Sequence, residues 1–244
     1  MAMGQNDRFR LQTGRMDHAQ AAAAGIDVGL RSYMLRVYNY MCIGLALTGA
    51  VAFAASTSGE LMNAIHGTAL RWVVMLAPLG FVFFLSARIH SMKAATAQTL
   101  FWVYAGLMGL SLSYIFLAFT GESIVRVFFI TSAAFAGLSL YGYTTKKDLS
   151  GMGTFLVMGL IGILIASVVN IFLASTGLHF VISILGVLIF AGLTAYDTQR
   201  IKAIYAEGDH SEVHEKKAIM GALTLYLDFI NMFIFMLQFF GNRE

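Results

Sequence analysis

Two aspartates, Asp197 and Asp228, sit inside long apolar stretches near the end of the chain, while the other acidic residues fall in tails, connections or helix ends. A carboxylate near the middle of a membrane helix costs about 2.5–3.5 kcal/mol on insertion scales, so such a residue points to function. At 100° per residue Thr224, Asp228, Asn231 and Gln238 share one narrow stripe, interrupted by Phe235. Ser183, Gly186, Thr194 and Asp197 form a second stripe, interrupted by Phe190. Two carboxyls in reach of each other in a low dielectric cannot both ionise easily and titrate as a unit. That chemistry suits a proton sensor, a cation site or an acid–base dyad. The structural alternative is that each aspartate separately binds polar groups of a neighbouring helix.

Depth decides whether they meet. With a helix ending at Thr198, Asp197 lies at the membrane surface and Asp228 ten residues inside, ~15 Å at helical rise. Continuing that helix through Gln199–Tyr205, with Arg200 and Lys202 reaching back to the surface, and starting the last one near Gly221, brings the two level. Arg88 ends an apolar stretch on the same side as Asp197, and reads either as its partner or as an ordinary positive anchor. Thr194, Asn231 and Asn170 add polar lining, Asn170 most simply as an interhelical hydrogen bond.

The elements that must position these groups are transmembrane helices. Only 12% of the residues are charged, against about 25% in soluble domains, and 58% are hydrophobic. A soluble chain so composed could not cover its own surface. Seven runs are long enough to cross a bilayer: 34–56, 71–87, 98–119, 123–143, 153–175, 178–198 and 218–240. The fold class is therefore all-α and polytopic, with residues 1–33 as a polar leader, helical from about Asp17, and 34–244 as the membrane domain. The short connections at 120–122 and 176–177 make tight antiparallel hairpins. Small residues one turn apart, such as Gly44 with Thr48 and Ala133 with Gly137, mark close helix packing.

Twelve basic residues fall on one side: Arg8, Arg10, Arg15, Arg31, Arg88, Lys93, Lys146, Lys147, Arg200, Lys202, Lys216 and Lys217. Three fall on the other, Arg71, Arg126 and Arg243. The bias predicts a cytoplasmic N-terminus and an external C-terminus, unless the last helix re-enters. The lone Cys42 forms no intramolecular disulfide, and the charge pattern asks for no nucleic acid.

Four segments resemble one family: GLTAYDTQRIK at 192–202, LYLDFINMFIFMLQFFG at 225–241, KKDLSGMG at 146–153 and GLRSYMLRVYNYM at 29–41. They are similar to the transmembrane Bax-inhibitor-motif proteins, bacterial members included, and the likeness covers almost everything after the leader. The resemblance implies seven helices with the last one central, surrounded by the other six. It also implies a pH-sensitive calcium leak in which Asp197 and Asp228 sense protons, with weak calcium contact, and Arg88 latches the pore. It implies no cofactor, calcium being a transported ion, and a bacterial inner membrane as the location. In one relative with ion transport the second helix carries an acid, whereas this stretch reads VVMLAPLGFVFFL.

Two other classes compete. Some bacterial relatives modulate a membrane-anchored quality-control protease, a binding role in which the leader at 1–33 would be the contact. Presenilin-like proteases place Tyr-Asp on the sixth helix, matched by Tyr196–Asp197, and Gly-x-Gly-Asp on the seventh, where this chain has Leu-Tyr-Leu-Asp at 225–228. Without those glycines a substrate strand has no close approach. His210 and His214 lack the zinc-protease order and read as a solvated loop, and Asp148 reads as a helix cap.

Overall fold

The computed structural model describes residues 5–89 and 91–242, with side chains from Val28 onward. Arg243 and the side chains of Arg8, Arg10 and Arg15 lie outside the described residues. The helices are α1 Gln5–Ser56, α2 Gly59–His66, α3 Leu70–Arg88, α4 Ala94–Leu112, α5 Ile115–Ala118, α6 Gly121–Thr144, α7 Ser150–Leu173, α8 Thr176–Ala203 and α9 Ser211–Phe240. Seven are long and apolar enough to span a membrane, in register with the seven expected runs. The backbone is already helical at Gln5, twelve residues before the expected start.

Local chemistry sets the boundaries. Thr120 caps α6 by accepting from the Ser123 amide, and Ser175 caps α8 by accepting from Leu178. Asp148 accepts from the Ser150 amide at the start of α7, as its position predicts. The Ser150 hydroxyl, and after it the Ser150 amide, hold its carboxyl below the usual carboxylate range. The third span breaks near Ser113, whose hydroxyl bonds Leu110 O at 2.7 Å and whose side chain also meets His66 Nε2 at 2.9 Å. The short helix α2, which the hydropathy pattern does not announce, starts on a Ser58 cap.

The last span is the hub. Helix α9 packs against α1, α4, α6 and α8, and 67% of its apolar window is buried. The expected ring of six is really two layers: α3 packs chiefly on α4, and α7 on α8. Close approaches are made by small residues. A Cβ on Gly142 of α6 would lie 2.2 Å from the Ala195 carbonyl oxygen of α8, and one on Gly44 of α1 would press on Phe101 and Tyr226. Thr48 is buried and shares a 2.7 Å hydrogen bond with the Tyr226 hydroxyl, tying α1 to α9. Gly106 and Gly137, the other small positions, face open space.

Candidate functional site

The two polar stripes face each other along the antiparallel α8–α9 seam. At one end Ser183 Oγ lies 3.4 Å from Gln238 Oε1. Next, Phe235 rests over Gly186, where a Cβ would come within 2.5 Å of its ring, and stacks on Phe190 with centroids 5.9 Å apart. The apolar residue that interrupts each stripe is thus matched to the other.

Farther along, Asp197 and Asp228 are buried, 8% and 4% exposed, and their carboxyls lie close enough to interact. Carboxylates only accept, so a bond between two carboxyls contains one proton. Oδ2 of Asp228 has no hydrogen-bond partner among the described residues. A fully buried oxygen with no donor makes the pair sensitive to any change in its charge. The helix geometry that allows contact is partly as reasoned: α8 continues past Thr198 to Ala203. The last helix starts at Ser211 rather than near Gly221, so its first turns run beyond the end of α8.

Thr194 lies one turn from Asp197, fully buried, with its hydroxyl on Phe190 O at 2.8 Å. Asn231, half-buried and almost one turn from Asp228, donates to Leu227 O at 2.8 Å. Asn170 stands elsewhere. It accepts from Ser175 N at 3.1 Å and closes the end of α7, where Ala174 adopts a left-handed φ of 48°. The opposite end of α7 is the one tied to Gln199, so Asn170 is twenty residues, ~30 Å, along the helix from the level of the pair. Its bond is a local cap, not the interhelical one expected.

Arg88 is exposed at the end of α3 and forms no ion pair among the described residues. The guanidinium whose charge reaches Asp197 is that of Arg200, three residues on along the same helix. Sequence reasoning gave Arg200 only a surface role, though its i,i+3 spacing from Asp197 was visible. Also unannounced is a line of hydroxyls that joins three helices beside the pair. Tyr38 Oη lies 2.6 Å from Ser139 Oγ, which lies 3.0 Å from Thr198 Oγ1. Thr198 in turn donates to Thr194 O at 2.7 Å.

The segments that carried the resemblance are brought together around this seam. Gly153 leaves room for the Tyr196 ring, and Gln199 receives Leu149 N and donates to Lys147 O. Lys202 reaches Tyr143 O at 2.8 Å. On the other flank Arg36 and Tyr40 both bond Glu215, while Val37 touches the position of Gly221. Among the described residues no three His, Cys, Asp or Glu side chains gather into a metal cluster. Calcium takes six to eight oxygens, more than the two carboxyls alone supply. The protease geometry fares poorly, because the places of its two glycines are filled by Leu225, fully buried, and Leu227, which packs against the core.

Six spans packed in two layers about a central, carboxyl-bearing seventh define an all-α polytopic membrane protein with a buried carboxyl pair. The family described as inhibitor of apoptosis-promoting Bax1 matches residues 30–244, and the chain belongs to that Bax inhibitor family. It is similar to a Rickettsia prowazekii protein, 50% identical over 89% of this chain and 92% of the relative. A Caulobacter vibrioides protein is 47% identical over 93% and 95%. The inner membrane protein YbhL of Escherichia coli K12 is 45% identical over 88% and 94%.

Proposed function

We propose that this protein is a pH-sensitive cation leak, calcium being one ion it passes, with the Asp197–Asp228 pair as its proton-responsive element. The observation that carries this reading is the meeting of two buried carboxyls, Asp197 of α8 and Asp228 of α9, on the central seam. When Asp197 is ionised it can hold a guanidinium at the cytoplasmic mouth; protonation removes that charge and releases it. Arg88 is the latch in this scheme. Its helix is the natural moving part, since only 11% of the α3 window is buried and α3 packs mainly on α2 and α4. Closure brings the end of α3 to Asp197, where Arg88 competes with Arg200. Leak therefore grows as pH falls, and declines again once both carboxyls are neutral and no longer attract cations. No step of this scheme is catalytic.

The test is flux from liposomes holding a calcium reporter, measured across pH. Asp228→Asn keeps the shape, removes the titratable charge and should flatten the profile. Arg88→Ala and Asp197→Asn should each raise the high-pH flux, and the double variant should add little, because both remove one interaction. Full additivity, or an unchanged profile in Arg88→Ala, would reduce Arg88 to a positive-inside anchor. Accumulation of uncleaved membrane substrates in both aspartate variants would replace the leak with a protease.

The reading places the chain in a bacterial inner membrane with its N-terminus in the cytoplasm and its C-terminus outside. Reporter fusions at the two ends test this, and two cytoplasmic ends would defeat it. A regulatory role toward a membrane-bound protease would run through the leader at 1–33. Deleting the leader separates the two roles, since flux should then persist while protease control is lost.

A further inference from the structure

Helices α1 and α6 pack against the hub from either side of a lateral cleft of about 890 Å³. Its walls are Met34, Met41 and Leu45 of α1 with Phe135 and Leu140 of α6, and Phe229 of α9 forms the floor. Both walls belong to membrane spans, so the cleft faces acyl chains. An unfilled cleft of this size would forfeit the dispersion contacts of everything that lines it. Its upper rim is Arg31, and there the character changes. A second hollow of about 420 Å³ adjoins through Arg31 and Leu35 and is lined by Ser32, Arg36 and Asn39. Arg36, Lys216 and Lys217 each pair with a carboxylate, whereas Arg31 has no acidic partner among the described residues. From Arg31 to Cys42 is eleven residues of helix, ~17 Å, about one leaflet of a ~30 Å hydrocarbon core.

We infer that the α1–α6 cleft is a binding site for one anionic phospholipid, its phosphate held at Arg31 and the polar hollow, and an acyl chain lying along the cleft as far as Cys42. Depth, apolar walls and a polar rim with a free guanidinium fit that molecule together. A guanidinium binds a phosphate with charge-assisted hydrogen bonds, and Ser32 and Asn39 supply neutral donors beside it. Tyr38 and Ser139 of the hydroxyl line also border the cleft, but the proposal does not depend on the leak.

Cys42, the sole cysteine, lines the cleft and reports occupancy. Lipid-depleted protein in a maltoside detergent is titrated with dioleoyl phosphatidylglycerol or dioleoyl phosphatidylcholine. The rate at which Cys42 reacts with a bimane thiol reagent is then followed. Phosphatidylglycerol should protect Cys42 at about fivefold lower concentration than phosphatidylcholine, the equivalent of about 1 kcal/mol for one Arg–anion contact. Arg31→Gln should erase that preference. Gly49→Phe, at a position where a Cβ meets nothing within 4 Å, should fill the cleft and abolish protection by either lipid in a folded protein. Native mass spectrometry of the same samples should count one tightly held phosphatidylglycerol in the wild type and none in Gly49→Phe. Equal protection by the two lipids, a preference that survives Arg31→Gln, or no protection at all overturns the inference. So does protection that grows with protein concentration without lipid, which would seat a second copy in the cleft.

Discussion

Helices α7 and α9 are both spans, yet they occupy opposite places. The apolar window of α7 has a mean hydropathy of 2.6 and is 11% buried; that of α9 has 1.7 and is 67% buried. Phe172 of α7 is 84% exposed, while Tyr226 of α9 is wholly buried. In water the more apolar helix would be the core. In a bilayer lipid satisfies apolar faces as well as protein does, so the centre goes to the helix whose polar and small-residue contacts need protein partners. Average hydrophobicity finds the spans; side-chain pattern assigns their places.

The largest expected effect tests that contrast directly. Tyr226→Ala removes a ring packed by Phe101 and Tyr104 and a hydroxyl bonded to Thr48, and should cost roughly 3 kcal/mol or more. Phe172→Ala should stay within about 0.5 kcal/mol. Unfolding in mixed micelles measures both, and equal losses would break the comparison.

Next come the glycines. Gly142→Ala drives a methyl group onto the Ala195 backbone and should cost about 1–3 kcal/mol by prising α6 from α8. Gly162→Ala in α7 meets nothing within 4 Å and should be neutral or stabilising by up to about 1 kcal/mol through helix propensity. A loss at Gly162 would show that this open face of α7 has a packing partner.

A gain is expected at the end of α7. Ala174 holds φ 48°, which costs a residue with a Cβ roughly 1 kcal/mol, so Ala174→Gly should raise the melting temperature modestly. An unchanged or lower value would mean that this cap is already unstrained.

The smallest effect concerns pH. His66 lies between α2 and Ser113, outside the spans, and burial lowers its affinity for a proton. The unfolded imidazole protonates near about 6.5 and the folded one only below that. The folded state thus binds fewer protons in this window, and His66 subtracts stability as pH falls below about 6.5. His66→Gln should flatten the slope of melting temperature between about pH 7 and 5 relative to wild type. Parallel slopes would dismiss the group as a contributor.

The legible parts of the molecule were those written along one helix. The spans, the role of Asp148 at the start of α7 and the two polar stripes all follow from residue period and type. The early start of α9 was less legible, because Ser211–Lys217 are charged and look like loop. They are helical because Glu215 finds Arg36 and Tyr40, and Lys217 finds Asp209. Residue order alone reads Arg88 as the partner of Asp197 or an anchor and Arg200 only as a surface residue; that α3 packs chiefly on α4 is not written along either helix. Asn170 looked like a polar group seeking another helix, but the sharp turn at Ala174 claims its oxygen. The cleft was invisible for a different reason. It consists of space between two helices, and its walls read as ordinary lipid-facing residues.

The hydroxyl line from Tyr38 to Thr198 has a direction. A hydroxyl has one hydrogen, and Thr198 gives its own to the Thr194 carbonyl. Ser139 must then donate to Thr198, and Tyr38 to Ser139. Every hydrogen points the same way, into a carbonyl that has none to return. A relay hands on charge only if its links can turn over after each passage, and this one is pinned at its far end. It therefore works as a staple across α1, α6 and α8 and not as a path for protons.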